Sequence, residues 1–222
     1  MENNTKDDPK ITEWFARIGR FVQAFEAMVH TVRVGCVVMI GIGPYRQRLA
    51  IVAFNHQSMT ALPLFQIMRA MVMETLSPEH DDTEETKADL ARECEIAKPV
   101  LSQIAKDYSD AVQFRNDMLH ATWFIGEFGD TNAVSVKIKV TGDGIKSQHL
   151  AEDAQRIEDQ IEKCKEISRM IERISLIPHV RKTLSGVTAS PPKLSSRFKQ
   201  ERGRWIICDQ SQEASDHQTR TT

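Results

Sequence analysis

The sequence predicts an all-α protein, a bundle of amphipathic helices with one small β-hairpin. Apolar residues recur at three- and four-residue steps in five segments, which is the spacing of amphipathic helices. One short segment, 134–140, instead alternates apolar and polar residues as a strand does. Apolar residues make up 41% and charged residues 27% of the 222 residues, a balance typical of one globular core.

The first helix is predicted to begin at Asp8-Pro9, with the aspartate as its cap and the proline in its first turn. Apolar positions up to Val32 predict about six turns. Gly41-Ile42-Gly43-Pro44 then breaks the chain. We expect the large side chains of this helix to lie in the core; they are Trp14, Phe15, Phe21 and Phe25.

Two further helices are predicted before an acidic loop. One covers residues 46–56, and Pro63 marks either a kink or the start of the next, whose apolar face over 64–76 we expect in the core. Between Glu79 and Glu95 there are eight acidic and two basic residues. Acidic side chains suit the start of a helix, although they could also bind a metal. The helix that follows is long, and Pro99 is expected to kink or divide it.

A hairpin is predicted after this long helix. The strand at 134–140 is followed by Thr141-Gly142-Asp143-Gly144, a hairpin turn signal, and 145–149 would return as the second strand. Lys137 and Lys139 would project from one side of this ribbon. They are candidate RNA contacts, and solubilising charges on an exposed face are the alternative. A final helix is predicted over about 150–176.

Helical periodicity stops at Pro178, so we place a helical domain at 9–177 and a tail at 178–222. The tail is Ser/Pro-rich, and its segment 181–204 has seven Lys or Arg against one acid, Glu201. This composition predicts disorder, and the basic residues could hold RNA or simply be solvated. The tail also contains a short apolar segment, Trp205-Ile206-Ile207-Cys208, which would dock on the domain or on a partner.

Charge and cysteine usage restrict the function classes. The net charge of −2 argues against a generally basic nucleic-acid-binding surface, so any RNA contact must be local. The four cysteines are far apart and form no C-x-x-C pair, which favours reduced thiols over a zinc site or a disulfide framework. The polar segment 1–10 has no signal core, and the apolar run 34–42 is too short to span a bilayer. We therefore expect a cytoplasmic protein with no membrane contact.

The segment from Phe114 to Trp123 has the composition of an anion-binding site. It contains Arg115, Asn116 and His120, here called the Arg-His motif. A helix turns about 100° per residue, so Asn116 and His120 share a face and Arg115 lies on its flank. A guanidinium, an amide and an imidazole together suit an anionic ligand, above all phosphate.

The Arg-His motif resembles that of the ribonucleases in the HEPN superfamily of all-helical proteins. Those enzymes carry an arginine, a polar residue and a histidine after four to six intervening residues. Four residues separate Arg115 from His120, and the first of them is Asn116. The order of helices over about 9–177 is also similar. Arg173 and His179 fit the spacing too, but the polar residue is missing and Pro178 intervenes.

The resemblance implies a metal-independent endoribonuclease that leaves 2′,3′-cyclic phosphate ends. Arg115 and His120 would be its catalytic residues, with Asn116 and Asp117 in support and no metal or cofactor. It also implies a homodimer whose two motif helices share one cleft, acting on RNA in a toxin–antitoxin or antiphage role under an antitoxin or regulatory protein.

Two other interpretations fit the same residues. In one, the protein is a non-catalytic HEPN-like module that binds nucleotide or RNA, or docks a partner. In the other, Arg115 and His120 only stabilise a helix end, with Arg115 paired to an acid from another helix.

Overall fold

The computed structural model describes residues 9–40, 54, 59–78, 83–125, 133–141, 144–152, 154–183 and 193–208. Helices dominate these segments, which confirms the predicted helical character. They are α1 (Pro9–Ile40), α2 (Ala61–Thr75), α3 (Glu84–Leu119) and α4 (Ala154–Thr183).

Helix α1 begins at Pro9, as predicted, and continues to Ile40, well beyond the predicted six turns. By length and composition alone it could cross a membrane. Its apolar stripe is nevertheless buried in this structure, since Met28, Val32 and Cys36 are fully covered. This is the pattern of a core helix. Burial also raises the pKa of the Cys36 thiol to about 12, which keeps this cysteine protonated at neutral pH.

The predicted helix at 46–56 lies outside the described residues except for Phe54, which is helical and buried. Helix α2 begins at Ala61, so Pro63 belongs to a first turn and not to a kink. A proline is tolerated there because the first amide groups of a helix have no intrahelical acceptor. The predicted core face is confirmed by the burial of Leu64, Phe65, Met68, Val72 and Leu76.

Helix α3 runs without interruption for 36 residues, so Pro99 lies inside it and does not divide it. Its start is capped, because the Thr83 hydroxyl oxygen accepts the amide proton of Thr86 at 3.2 Å. Glu84 and Glu85 occupy the first turn, where the helix dipole favours negative charge. In the described parts of the chain, no three His, Cys, Asp or Glu side chains are grouped as metal ligands would be.

The predicted hairpin follows α3. Strands β2 (Ala133–Thr141) and β3 (Gly144–Glu152) pair antiparallel, with Thr141 opposite Gly144. The sequence did not reveal strand β1 (Thr122–Ile125), which pairs with β2 and is too short to show an alternating pattern. Because β3 extends to Glu152, α4 begins at Ala154 and not near residue 150.

The chain divides into two compact units. The first unit comprises residues 1–30 and 107–168, and the second comprises 31–106 and 169–222. Each of α1, α3 and α4 contributes residues to both units. The Arg-His motif and the three-stranded sheet belong to the first unit.

An aromatic cluster of Phe21, Phe25 and Phe114 joins α1 to α3 in the first unit. Phe21 is fully buried, and the centroid of its ring lies 6.3 Å from that of Phe25 and 5.0 Å from that of Phe114. The prediction that Phe15 is a core residue is wrong, because its exposed fraction is 60%. Phe15 lies about 100° around the helix from the buried Trp14, outside the stripe that Trp14 and Phe21 define.

The predicted disorder of the tail is wrong for residues 193–208, which form the C-terminal hairpin of the second unit. A short 3-10 helix, Leu194–Ser196, precedes strands β4 (Phe198–Glu201) and β5 (Arg204–Ile207). Positive φ angles of 49° at Arg202 and 81° at Gly203 close a tight two-residue turn. Helix α4 also continues past Pro178 to Thr183.

Apolar and hydrogen-bonded contacts hold the C-terminal hairpin in the second unit. Phe198 is buried, and the Gln103 side chain on α3 accepts the Trp205 amide proton at 2.8 Å and donates to the Trp205 carbonyl at 2.9 Å. Arg197 donates to the Arg173 carbonyl at 2.7 Å. Burial lowers the pKa of Arg197, and the charge of Arg173 lowers it further. This arginine of the basic tail is therefore structural.

Candidate functional site

The Arg-His motif lies at the C-terminal end of α3. The helix ends at Leu119, so His120, which was predicted to lie on this helix, is the first residue after it. The His120 amide still donates to the Asn116 carbonyl at 3.1 Å, so His120 lies one turn after Asn116. The Trp123 indole nitrogen donates to the Met118 carbonyl at 2.8 Å, which satisfies one of the last carbonyls of the helix. These two hydrogen bonds hold the chain that follows the end of α3.

The Arg115 side chain is half-buried and held by two contacts. Its guanidinium carbon lies 5.8 Å from the centroid of the Phe25 ring on α1, a cation–π geometry. Its Nη1 donates to Oδ1 of Asn116 at 3.3 Å. This contact with a buried ring limits the positions of the guanidinium, a group that can bind a phosphate through two N–H groups.

The Nε atom of Arg115 is buried and has no hydrogen-bond partner among the described residues. A buried donor without an acceptor costs about 1–3 kcal/mol, so such atoms are rare without a ligand or a further partner. Within the same segments, no acidic side chain contacts Arg115. This finding does not support the interpretation in which Arg115 only forms an ion pair with an acid from another helix.

His120, Asn116 and Asp117 differ in their surroundings. His120 is exposed, whereas Asn116 and Asp117 are half-buried. Asp117 accepts a hydrogen bond from Nε2 of Gln113 at 2.8 Å, one turn earlier on α3. His120 is the first residue after α3, and its five-position separation from Arg115 corresponds to about 140° on a helical wheel. One copy of the chain therefore does not present both residues on one helix face.

The predicted lysines lie on β2, and their side chains are outside the described residues. In the sheet register, Val136 lies opposite Thr122, the first residue of β1. Lys137 follows Val136 on β2, at the end of the sheet where the chain enters β1 from the motif. Lys137 pairs with Gln148, and Lys139 with Lys146.

Sequence reasoning missed two residues next to the motif. One is Phe25, which appeared only as a core residue and is the ring beneath Arg115. The other is Arg156 in the first turn of α4, whose guanidinium carbon lies 5.2 Å from the centroid of the Phe114 ring. Neither contact has a sequence signal, because each depends on how α1 and α4 pack against α3.

A groove of about 580 Å³ lies elsewhere, in the second unit between the start of α3 and the C-terminal hairpin. Charged residues of both signs line it, including Asp89, Arg92 and Lys193. None of the motif residues is part of it.

No protein-family model, curated protein or solved structure matches the chain. The Arg-His motif and the contacts of its residues are thus the features that bear on function.

Proposed function

We propose that the protein is a metal-independent endoribonuclease in which Arg115 and His120 cleave RNA. The observation that carries this proposal is the environment of Arg115. Its guanidinium carbon lies 5.8 Å from the centroid of the Phe25 ring, its buried Nε has no hydrogen-bond partner among the described residues, and the exposed His120 follows one turn after Asn116. A guanidinium can hold a phosphate, and a histidine can move a proton beside it.

The reaction needs no group beyond these side chains and the substrate. The 2′-oxygen of the ribose attacks the adjacent phosphorus, and the bond from phosphorus to the 5′-oxygen breaks. The products carry a 2′,3′-cyclic phosphate and a 5′-hydroxyl. Arg115 stabilises the negative charge that develops on the phosphate oxygens. His120 takes the proton from the 2′-hydroxyl and delivers it to the leaving 5′-oxygen, so the protons balance with one histidine.

A symmetric dimer would bring Arg115 and His120 of different copies together. We propose that Arg115 of one copy acts with His120 of the other, since five positions separate the two residues by about 140° on a helical wheel. A two-fold axis near the end of α3 would create two equivalent sites, and such isologous dimers are the commonest oligomers. A cytoplasmic toxin–antitoxin or antiphage role, restrained by an antitoxin or regulatory protein, remains part of the proposal through the HEPN resemblance.

The second proposal is a non-catalytic module that binds nucleotide or RNA, or docks a partner. The half-burial of Arg115 and its bond to Asn116 favour it, because these contacts suit phosphate binding and require no proton transfer. In that case His120 would contact the ligand without moving a proton.

The experiment that tests the enzymatic proposal is analysis of RNA termini after incubation with the purified full chain in excess EDTA. We expect cleavage with 2′,3′-cyclic phosphate and 5′-hydroxyl ends, because neither Arg115 nor His120 needs a metal to act. Cleavage that stops in EDTA and returns with Mg²⁺ would instead implicate the acidic stretch 81–85. RNA binding that depends on Arg115, without any cleavage, would select the binding module.

A further inference from the structure

Arg115 is a half-buried arginine that contacts no carboxylate among the described residues. Its guanidinium carbon lies 5.8 Å from the centroid of the Phe25 ring, and its Nη1 donates to the neutral side-chain amide of Asn116 at 3.3 Å. Its Nε is buried and has no hydrogen-bond partner in the same segments. The groups that hold this guanidinium are therefore an aromatic ring and an amide oxygen, and neither of them neutralises its charge.

Other cations of the first unit are held by carboxylates. Arg20 on α1 forms an ion pair with Glu158, and Lys163 lies 3.3 Å from both Asp107 and Asp110. A carboxylate fixes the position of a cation but also offsets its charge, so it would compete with a phosphate for the same N–H groups. An aromatic face attracts a cation through the ring quadrupole and brings no negative ion into the site.

We propose that Phe25 is a positioning residue, whose aromatic face sets the Arg115 guanidinium for binding an RNA phosphate. This inference rests on the part of the proposed function in which Arg115 contacts the phosphate. Because Phe25 is buried, it has no contact with RNA and no part in proton transfer. Its effect comes from the electron density of the ring, which is a separate property from the volume that the ring fills in the core.

The aromatic cluster holds the Phe25 ring in place. The Phe25 side chain is 4% exposed, and its ring centroid lies 6.3 Å from that of the fully buried Phe21. Phe21 also makes an edge contact with Phe114, with 5.0 Å between the ring centroids. Phe114 directly precedes Arg115 on α3, so one cluster supports both the ring and the backbone from which the guanidinium extends. A guanidinium held in this way loses less conformational freedom when it binds a ligand.

The test separates the electron density of the Phe25 ring from its volume. Phe25 is replaced by mono-, di- or trifluorophenylalanine in the full chain, since fluorine withdraws electron density from the ring face and changes the size of the ring little. The same series at Phe21 is the matched control, because in the described segments no guanidinium lies over the Phe21 ring. Each chain also carries His120→Ala, so that the RNA stays intact.

The measurement is the affinity for a fluorescein-labelled single-stranded RNA oligonucleotide, determined by anisotropy, and thermal unfolding checks that each chain is folded. We expect the affinity to fall with each fluorine added at Phe25. Phe25→Leu, which has no aromatic face, should weaken binding by about two- to fivefold, the range for a cation–π contact. The series at Phe21 should leave the affinity unchanged. Packing alone predicts no dependence on the electron density of one ring.

Two results would overturn the inference, and a third would overturn the proposed function. If Arg115→Ala loses RNA binding but the fluorinated series at Phe25 binds as tightly as its parent, Phe25 only fills the core. If the series at Phe21 weakens binding as much as the series at Phe25, fluorine acts through packing and not through Arg115. If Arg115→Ala binds RNA as tightly as its parent and the wild type cleaves none, the proposed function fails, and this inference fails with it.

Discussion

Replacing His120 with alanine should abolish RNA cleavage and leave the fold unchanged. General acid–base catalysis by a positioned histidine contributes about 10²–10⁴-fold, so the rate should fall at least into that range. Stability should not change, because the His120 side chain is exposed and lies beyond the end of α3. The measurement is the initial rate of RNA cleavage beside a thermal unfolding curve. His30→Ala is the matched control, since His30 is an exposed histidine on α1 outside the motif.

Arg115→Ala should lower the cleavage rate to a similar degree, because loss of one group that stabilises transition-state charge costs about 10²–10³-fold. This variant also uncovers Phe25 and removes a cation–π contact worth about 0.5–1 kcal/mol. Arg115→Lys separates the two effects, since it retains the charge but not the bidentate geometry. Unchanged cleavage in either His120→Ala or Arg115→Ala would remove that residue from the catalytic site.

The second large effect concerns stability. Phe21→Ala should lower the free energy of unfolding by about 3–5 kcal/mol, measured by urea denaturation. Phe21 is 0% exposed and contacts both Phe25 and Phe114, so its removal leaves a cavity beneath the aromatic cluster. Phe15→Ala is the matched control on the same helix, and its effect should stay within about 0.5 kcal/mol. A loss below about 1 kcal/mol for Phe21→Ala would show that α1 is peripheral in the first unit.

The helices could be predicted because their apolar residues repeat over many turns. The start of α1 at Pro9 and the buried face of α2 follow directly from that pattern and from the rules for proline. Phe15 was misplaced because a single apolar residue beside the stripe cannot be told from a member of it. Strand β1 was missed because four residues are too few to establish a period of two.

The C-terminal hairpin was not predicted because of its composition. Basic, serine and proline residues are frequent in the tail, and the apolar residues in the first half of the hairpin, 193–200, are Leu194 and Phe198. The two hydrogen bonds between Gln103 and Trp205 join residues about a hundred positions apart, and no local pattern encodes such a contact. Tertiary packing therefore decides the structure of this segment.

The candidate site was also predicted only in part from the sequence. Motif spacing alone identified Arg115, Asn116 and His120 and placed His120 one turn after Asn116. Helix packing places the Phe25 ring beneath Arg115 and Arg156 over Phe114, and it buries the Nε atom of Arg115 without a hydrogen-bond partner among the described residues. These features depend on the distances between helices, which a single sequence does not contain.

A dimer of two differently tagged variants tests the shared catalytic site most directly. One subunit carries Arg115→Ala, the other His120→Ala, and sequential affinity purification isolates the mixed dimer. If Arg115 of one copy acts with His120 of the other, one of the two sites keeps both residues, and cleavage should return to about half the wild-type rate. A mixed dimer as inactive as the two parent variants would contradict a site built from both copies.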